Sequence, residues 1–536
     1  MGGRGIIDDL MTKYGSPSAH PLSKDNLFIV APGFLSGTAI SSSGRLSVGG
    51  KSPLTGGIKE ANVGGPAGQK LMQLGIQAIM VTGKASGWKI LKIGVEGISF
   101  ETAEAIVGLG NYAACEKLYK EYGKQISIIL VGPAGERKYL NSTVAATDAD
   151  GNPCRHAARG GVGAIMGSKL LKAIVIDSTG VAIRKPVDKD GFKNALKKLT
   201  ETMMAGPHGT PGDFLKNFGT PGIVDVDNIK GSLPTYNFRQ GNFDKHEKIN
   251  AERYIELNKQ RGGRMGHACM PGCIVRCSNI FHDSNGEYLT ASLEYETLAM
   301  LGSNLGIDDL DAIARMDRKC DDLGLDTIET GCCIGILNDV GLFSFGDIAK
   351  AESLIDEIAQ ATPLGRILGS GTEVTAKVFG INRVPTVKGQ GIPGHEPRAL
   401  KGWGVTYATS PQGADHTAGP SIEDPLSPVG QVERSKSSQI INTAFDATGL
   451  CHFTFLYKNP DVVIPVINAF YGINVTMEDF MNLGKKMLRE EIAFNRKAGI
   501  GPAADRLPDW MRKEQLSPTN EKFDVPQKEI DEIFDF

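Results

Sequence analysis

The sequence contains no long hydrophobic run, and none of its apolar stretches approaches the roughly 20 residues that a membrane-spanning helix needs. Its N-terminus, MGGRGIIDDLMTKYG, includes no apolar core of a secretory signal. Ile6 stands where N-myristoylation requires serine or threonine. We therefore expect a soluble, cytoplasmic protein that has no membrane partner.

A strong charge of either sign is also absent. The 58 Lys and Arg residues nearly balance the 61 Asp and Glu residues, and the formal net charge is −3. With no run of Lys or Arg, nothing favours nucleic-acid binding. The 41% apolar and 22% charged residues exclude a disordered chain. At roughly 100–200 residues per domain, the length predicts two to four domains.

The cysteine pattern lacks the features of a secreted disulfide framework, because the nine cysteines are odd in number and spread over 536 residues. Glycine, in contrast, is abundant: there are 67 glycines, well above the average of roughly 7%. Such an excess without low complexity predicts many tight turns, or places where the backbone must approach another group closely.

The first 200 or so residues read as β-rich with glycine-dense connections. Short apolar runs bounded by Gly, Pro, Ser or Asp predict buried strands at Leu27–Ala31, Ala78–Val81, Ile126–Val131 and Ala173–Ile176. Between these runs lie three glycine-rich segments, Ser43–Gly50, Gly56–Gly68 and Arg159–Gly167.

Beyond about residue 190 the apolar spacing becomes helical. Amphipathic helices are predicted at Phe192–Met204, Asp308–Leu323, Ile348–Ala361 and Met477–Lys497. The Pro/Gly-rich stretch Val384–Pro397 marks a candidate boundary. We expect an α+β fold in which a β-rich N-terminal domain, residues 1–200, precedes two mostly α-helical domains, residues 201–395 and 396–536.

Three cysteines, Cys269, Cys273 and Cys277, lie within nine residues in the segment HACMPGCIVRC. The Pro-Gly pair inside it breaks any helix, so the segment can wrap around a small object. Thiolates at this spacing suit an iron–sulfur cluster or zinc. We favour a cluster, because zinc sites more often combine two short Cys or Cys/His pairs. A fourth ligand must come from elsewhere, and the candidates are Cys451, Cys320, Cys332 and Cys333.

Six segments together resemble one family, the aldehyde:ferredoxin oxidoreductases. In order, they are SGRLSVGGKSPLTGGIKEANVGG, HAARGGVGAIMGSKLLKAI, LEYETLAMLGSNLGI, DDLGLDT, PRALKGWGVTYATSPQGADH and DATGLC. Each is weak alone, but their order and their span of nearly the whole chain make the set specific. The family carries tungsten, sometimes molybdenum, on two pterin cofactors beside a 4Fe–4S cluster.

The resemblance implies two pterin-binding copies of a DxxGL motif. The first copy contributes Asp321, Gly324, Leu325 and Asp326, and the second contributes Asp446, Gly449 and Leu450. A carboxylate can accept hydrogen bonds from the amino and ring N–H groups of a pterin. The second copy ends in Cys451, which the resemblance makes the fourth cluster ligand. Without the resemblance, either motif would read as a helix end with a glycine cap.

The resemblance also implies a phosphate site. Arg45 and Arg159 would bind the pterin phosphates, together with the turn formed by Asn62, Val63 and Gly64. A magnesium ion would bridge the two phosphates, held partly by the main-chain carbonyls of Asn62 and Gly160. Two side chains would lie beside the metal: Glu296 to handle a proton of water or of the hydrated carbonyl, and His416 to hydrogen-bond the substrate oxygen.

This sequence departs from the family pattern in several places. The cysteines follow C-x3-C-x3-C instead of C-x2-C-x3-C, so the first ligand is expected on a looser loop. The pair that holds an iron between subunits is replaced by Arg315 and Arg318, so we expect no iron-bridged dimer. Near His416, unusual residues on the expected substrate side suggest a different substrate: Gln412, Asp415 and Ala418.

The N-terminus also departs from the family. The alignment starts about thirty residues downstream of the usual start, so an initial β-hairpin would be missing and a sheet edge left unpaired unless something covers it.

The leading expectation is therefore an oxidoreductase that converts an aldehyde and water to a carboxylic acid and passes electrons through the cluster to ferredoxin. One alternative keeps the cofactors but changes the reaction, for example to low-potential reduction of an aromatic thioester with a separate iron–sulfur subunit. A different class is an electron-transfer protein that holds a cluster and no pterin. Absence of tungsten and molybdenum from the purified protein would favour this last class.

Overall fold

The computed structural model describes residues 1–205 and 211–535. Its first part contains most of the β-structure, in ten strands. These are β1 Phe28–Pro32, β2 Leu46–Lys51, β3 Ile58–Val63, β4 Ile79–Val81, β5 Lys89–Gly94, β6 Gly97–Thr102, β7 Ser127–Leu130, β8 Val144–Ala146, β9 Arg155–Ala157 and β10 Leu171–Asp177. The strands at the centre of each sheet are buried apolar runs, as expected for strands covered on both faces.

The ten strands form two sheets. The first is antiparallel, in the order β3-β2-β1-β4, and β3 is covered by the Arg159–Gly161 turn and by β9. The second has the order β6-β5-β10-β7-β8-β9, and its β10–β5 pair is parallel. Later in the chain lie five more strands: β11 Arg264–His267, β12 Ser278–His282, β13 Tyr288–Ala291, β14 Thr386–Val387 and β15 Gln390–Gly391.

Helices dominate the chain after residue 189. Those of the first part are α1 Gly3–Tyr14, α2 Ala67–Gln73, α3 Asn111–Tyr122, α4 Pro133–Glu136 and α5 Val162–Ser168. The later ones are α6 Lys189–Ala205, α7 Pro211–Phe218, α8 Ile223–Lys230, α9 Ala251–Arg261, α10 Tyr295–Thr297, α11 Leu310–Leu323, α12 Thr327–Asp339, α13 Ile348–Gln360, α14 Pro363–Gly369, α15 Thr372–Phe379, α16 Lys401–Thr409, α17 Gln431–Asp446, α18 Val463–Tyr471, α19 Met477–Lys497, α20 Asp509–Lys513 and α21 Gln527–Asp531.

The fold class predicted from the sequence is confirmed: a β-rich first part is followed by a mostly helical remainder. Each predicted strand and helix overlaps an observed one, and α19 has the predicted bounds. Helix α19 starts at a capping box, in which Thr476 and Asp479 bond each other's backbone N–H. The helix packs on α17 and on α1, so the first helix of the chain contacts its C-terminal part.

Two further expectations concern the domain boundaries and membrane-spanning helices. The Val384–Pro397 stretch holds the short hairpin β14–β15 and irregular chain, and the division into three domains stays a prediction. In the described part of the chain, no helix is both long and apolar enough to span a membrane.

Candidate active site

The four predicted cluster cysteines come together in the structure. Cys269, Cys273 and Cys277 lie on the loop between β11 and β12, and Cys451 follows α17. All four are half-buried, whereas the other five cysteines are buried, and all nine are free. The thiol of Cys269 hydrogen-bonds Cys273, which lowers the pKa of Cys273 to about 7. Cys451 interacts electrostatically with both Cys269 and Cys277.

The remaining candidates for the fourth ligand are elsewhere. Cys320 lies in α11, and Cys332 and Cys333 lie in α12, with thiols buried in the apolar core. Burial raises the pKa of the Cys320 thiol well above its ordinary value. Within residues 1–205 and 211–535, no three His, Cys, Asp or Glu side chains are arranged to hold a single metal ion.

Two arginines face the cysteines. Arg45 donates to the side chain of Asn62 and, at 3.3 Å, to its carbonyl oxygen. A Cβ added at Gly64 would lie 3.0 Å from Arg45 Nη1 and 3.3 Å from Cys269 Sγ, so the turn after β3 runs close to both groups. The other cation is Arg155 on β9. Burial alone would lower its pKa, but the cysteines, Cys269 foremost, outweigh burial and raise it.

The first DxxGL motif joins α11 to α12. Gly324 has φ of +76°, a left-handed conformation that favours glycine, and ends α11. Asp326 begins α12 by accepting the Ile328 N–H at 2.9 Å, and its other oxygen accepts from Arg159 at 3.0 Å. Burial raises the pKa of Asp326 to about 6. Asp321 Oδ2 is buried without a hydrogen-bond partner among the described residues.

The second DxxGL motif follows α17 and contacts the N-terminal helix. Asp446 accepts from Arg4 at 3.1 Å and lies 2.8 Å from His452 Nε2. Gly449 has φ of +85° and turns the chain toward Cys451, whose N–H donates to the Ser42 carbonyl at 2.9 Å. Both copies are thus glycine turns at helix ends, and their fit to pterins depends on the groups around them.

The third glycine-rich segment forms a tight turn before α5. Arg159 is buried and donates to the carbonyls of Gly391 and Ala414, in addition to Asp326, while its Nε has no partner among the described residues. The carbonyl of Gly160 accepts from Ser52 at 2.7 Å. The two carbonyls predicted to hold magnesium, those of Asn62 and Gly160, therefore each accept a hydrogen bond from a side chain of this protein.

Glu296 and His416 lie side by side. Glu296 is in α10, and its Oε2 accepts the Gly394 N–H at 2.7 Å. Its Oε1 lies 3.7 Å from His416 Nδ1, and both atoms are buried without a hydrogen-bond partner among the described residues. Burial lowers the pKa of His416, although the Glu296 carboxylate opposes this effect. Two unsatisfied buried polar atoms so close together indicate a site for a polar molecule.

The sequence reasoning missed a second histidine beside this pair. His395 Nδ1 lies 2.6 Å from Asp227 Oδ2, and His395 Nε2 lies 3.5 Å from Glu296 Oε1. Its ring stacks between Tyr295 and Trp403, with ring centroids 4.8 Å and 4.2 Å away. Burial alone would lower the pKa of His395, but Asp227 outweighs burial and raises it. The only sequence signal was a histidine in the stretch interpreted as a boundary.

The residues that depart from the family pattern near His416 have partners of their own. Asp415 pairs with the buried Lys59 at 2.7 Å, and this cation, with His416 and Arg159, holds the pKa of Asp415 below its usual range despite burial. Gln412 bonds the Glu60 N–H and the Glu491 carboxylate, each at 2.6 Å. Ala418 is buried.

The two arginines predicted to replace an iron site are engaged on the surface of α11. Arg315 pairs with Glu352 at 2.8 Å. Arg318 donates to the Leu289 carbonyl at 2.7 Å and stacks on the Tyr112 ring.

Family models match nearly the whole chain. The aldehyde ferredoxin oxidoreductase N-terminal domain matches residues 1–178, and domains 2 and 3 of the same family match residues 194–535. The fold and the site are those of an oxidoreductase composed of these domains. The chain belongs to the aldehyde ferredoxin oxidoreductase family.

Individual proteins similar to this chain support the family assignment. The chain is 33% identical to a tungsten-containing aldehyde ferredoxin oxidoreductase of Pyrococcus furiosus, over 96% of this chain and 87% of the relative. It is 25% identical to the WOR-like subunit of an aliphatic sulfonate oxidoreductase of the same organism, over 90% and 79%. Among solved structures, the BamBC active-site complex of benzoyl coenzyme A reductase shares the fold, with a TM-score of 0.79, 20% identity, and coverage of 95% and 86%.

Proposed function

We propose that this protein oxidises aldehydes to carboxylic acids, using tungsten or molybdenum held by two pterins, and passes the electrons through a 4Fe–4S cluster to ferredoxin. The reaction consumes one aldehyde and one water and releases a carboxylic acid, two protons and two electrons. The observation that carries the proposal is the pair of buried atoms Glu296 Oε1 and His416 Nδ1, which lie 3.7 Å apart and have no hydrogen-bond partner among the described residues. Membership of the family supports it. We place the reaction in the cytoplasm as part of the same proposal.

The residues present fit the pterin cofactor. Asp321 Oδ2 is a buried acceptor without a partner among the described residues, which suits the N–H groups of a pterin. Asp326 and Asp446 would serve the same purpose, and the arginines Arg45 and Arg159 would bind phosphate. When bound, the metal would accept the two electrons of the reaction. A magnesium ion between the phosphates would use the Asn62 and Gly160 carbonyls.

The side chains of the chain itself would handle the protons. Glu296 is held by the Gly394 N–H through one oxygen, so its free oxygen can take a proton from water in a fixed position. His416, whose pKa is lowered by burial, is mostly neutral at pH 7 and can hydrogen-bond the substrate oxygen. His395, whose pKa is raised beside Asp227, can hold a proton next to the Glu296 carboxylate.

The four cysteines Cys269, Cys273, Cys277 and Cys451 would ligate the cluster. Their half-buried positions near the surface suit a relay between the pterin and an external partner. We propose ferredoxin, or a ferredoxin-like iron–sulfur subunit, as that partner. With arginines at positions 315 and 318, both engaged with neighbours in the chain, we expect no iron-bridged dimer.

A second candidate function keeps the cofactors and changes the substrate. Asp415, which pairs with the buried Lys59, and Gln412, which bonds the Glu60 N–H, replace the residues usual for the family near His416. Such a change leaves room for another oxo substrate, such as an aromatic thioester that is reduced at low potential. A protein that binds only a cluster is the remaining alternative, and the absence of tungsten and molybdenum from an iron-loaded preparation would support it.

The test begins with elemental analysis of anaerobically purified protein, where we expect tungsten or molybdenum together with iron. A screen of aldehydes with a low-potential dye follows. Glu296→Gln should retain both metals and lose turnover by about 100-fold or more, because general-base catalysis contributes on that scale. The matched control is Glu287→Gln, an exposed residue of the β12–β13 hairpin, which should leave turnover unchanged. Unchanged turnover in Glu296→Gln would remove this residue from the mechanism.

A further inference from the structure

A basic cavity opens on the surface beside the cysteine loop. Its volume is about 350 Å³, and four of its lining side chains are cationic. They are Lys216, Lys259, Arg264 and Arg276. All four are exposed, so their charges face solvent at the mouth of the cavity. We call this feature the basic cavity.

The basic cavity and the cysteine loop share their backbone. Strand β11, which carries Arg264, runs directly into the loop that begins at Cys269, and Arg276 is the neighbour of Cys277. A Cβ added at Gly266 would lie 3.0 Å from the Lys216 carbonyl oxygen. A Cβ added at Gly219 would lie 2.9 Å from the Cys277 carbonyl oxygen.

The close packing at these two glycines therefore holds helix α7, with Lys216, against the chain that carries the thiols. A molecule seated in the basic cavity would lie next to the cysteines.

The charges of the basic cavity are largely uncompensated. Arg264 pairs with Asp150 at 3.0 Å. Lys216, Lys259 and Arg276 form no ion pair with any residue in the described part of the chain. The cavity is therefore strongly positive, although the whole chain carries a net charge of −3. A local potential opposite in sign to the whole protein attracts an anionic partner to one place.

We propose that the basic cavity is the docking site of an acidic electron-transfer protein, which collects electrons from the cluster that the cysteines would hold. This inference rests on the proposed function, because it needs that cluster. Charge complementarity favours the acidic protein as occupant, and an electron carrier is the anionic partner whose function requires contact with this loop. Opposite charges would steer its encounter and orient it on the loop.

The experiment uses the holoenzyme and the double variant Lys216→Glu/Lys259→Glu. Two electron acceptors are compared: an acidic 2[4Fe–4S] ferredoxin and a dicationic viologen dye. We expect kcat/KM for ferredoxin to fall about tenfold or more at low ionic strength, with the rate for the dye unchanged, since neither lysine contacts the site of the reaction. Added salt should slow the wild-type reaction with ferredoxin and affect the double variant much less.

A matched control carries the same charge change elsewhere: Lys124→Glu/Lys350→Glu, on two exposed lysines that are distant in sequence from the basic cavity. Equal kcat/KM for ferredoxin in the wild type and in the cavity variant would overturn the proposal. An equal fall in both double variants would also overturn it, since the effect would then reflect net charge alone. Should the glutamate variant lose its metals, Lys216→Gln/Lys259→Gln provides the same comparison.

The two proposals can fail separately. Absence of dye-coupled aldehyde oxidation by the wild-type protein would refute the proposed function. Docking would then be decided by direct calorimetric titration of the same proteins with oxidised ferredoxin. Unchanged ferredoxin affinity in the variant, combined with loss of inorganic phosphate binding, would overturn docking and identify a site for small anions.

Discussion

Arg4, on the first helix, is 2% exposed and bonds two carboxylates that are more than 440 residues away in sequence. It donates to both oxygens of Glu491, at 2.8 and 2.9 Å, and to Asp446 at 3.1 Å. Arg4→Met keeps much of the side-chain volume and leaves both carboxylates buried without their cation. Removing one member of a buried ion pair costs about 3–5 kcal/mol, so we expect a loss of that size in the free energy of unfolding at pH 8.

The loss should shrink as the pH is lowered. Carboxylates left without Arg4 acquire raised pKa values in the folded protein, so their destabilising effect is present at high pH and fades when they bind protons. Urea unfolding of the metal-free protein at pH 8 and pH 6 measures both effects. The control is Lys13→Ala, which removes an exposed pair with Asp9 on the same helix and should change nothing measurable. A loss below about 1 kcal/mol, or one independent of pH, would refute the reasoning.

Two further predictions concern Glu60 and the proposed fourth cluster ligand, Cys451. Burial, and then Asp446, raise the pKa of Glu60 from 4.5 to about 7, so its contribution to stability is fully present below pH 4.5 and is lost as the pH rises through 7. Glu60→Gln should remove up to about 3 kcal/mol of that pH dependence, and a pH series of urea midpoints that matches the wild type would contradict it. Cys451→Ser should lower the iron content and alter the visible and electron paramagnetic resonance spectra, whereas Cys115→Ala, at a buried thiol outside the loop, should leave them intact. An unaltered Cys451→Ser spectrum would assign the fourth ligand to another residue.

The local elements of this protein were predictable because their signals are local. An apolar run flanked by Asn26 and Pro32 became β1, and apolar spacing near 3.6 residues became α11, α13 and α19. The three closely spaced cysteines were also visible as a set. The proposed fourth partner, Cys451, was indicated only by resemblance to a family, since spacing alone left four candidates open.

The site was less predictable. The resemblance pointed to Glu296 and His416, and the structure brings them together. His395 and Asp227 were missed, because the partners are 168 residues apart and neither belongs to a recognisable motif. The basic cavity was missed for a similar reason: its cations come from α7, α9 and the two flanks of the cysteine loop, and no run of basic residues announces them.

By itself, the sequence determined the class of fold and the order of its elements, because apolar periodicity acts over a few residues, and thiol spacing grouped three of the cysteines. Only the tertiary structure decided which charges meet. The pairing of Arg4 with Glu491, of Lys59 with Asp415 and of His395 with Asp227 depends on distant segments packing together. Burial then changes the proton affinity of each group, and these effects arise only after the chain has folded.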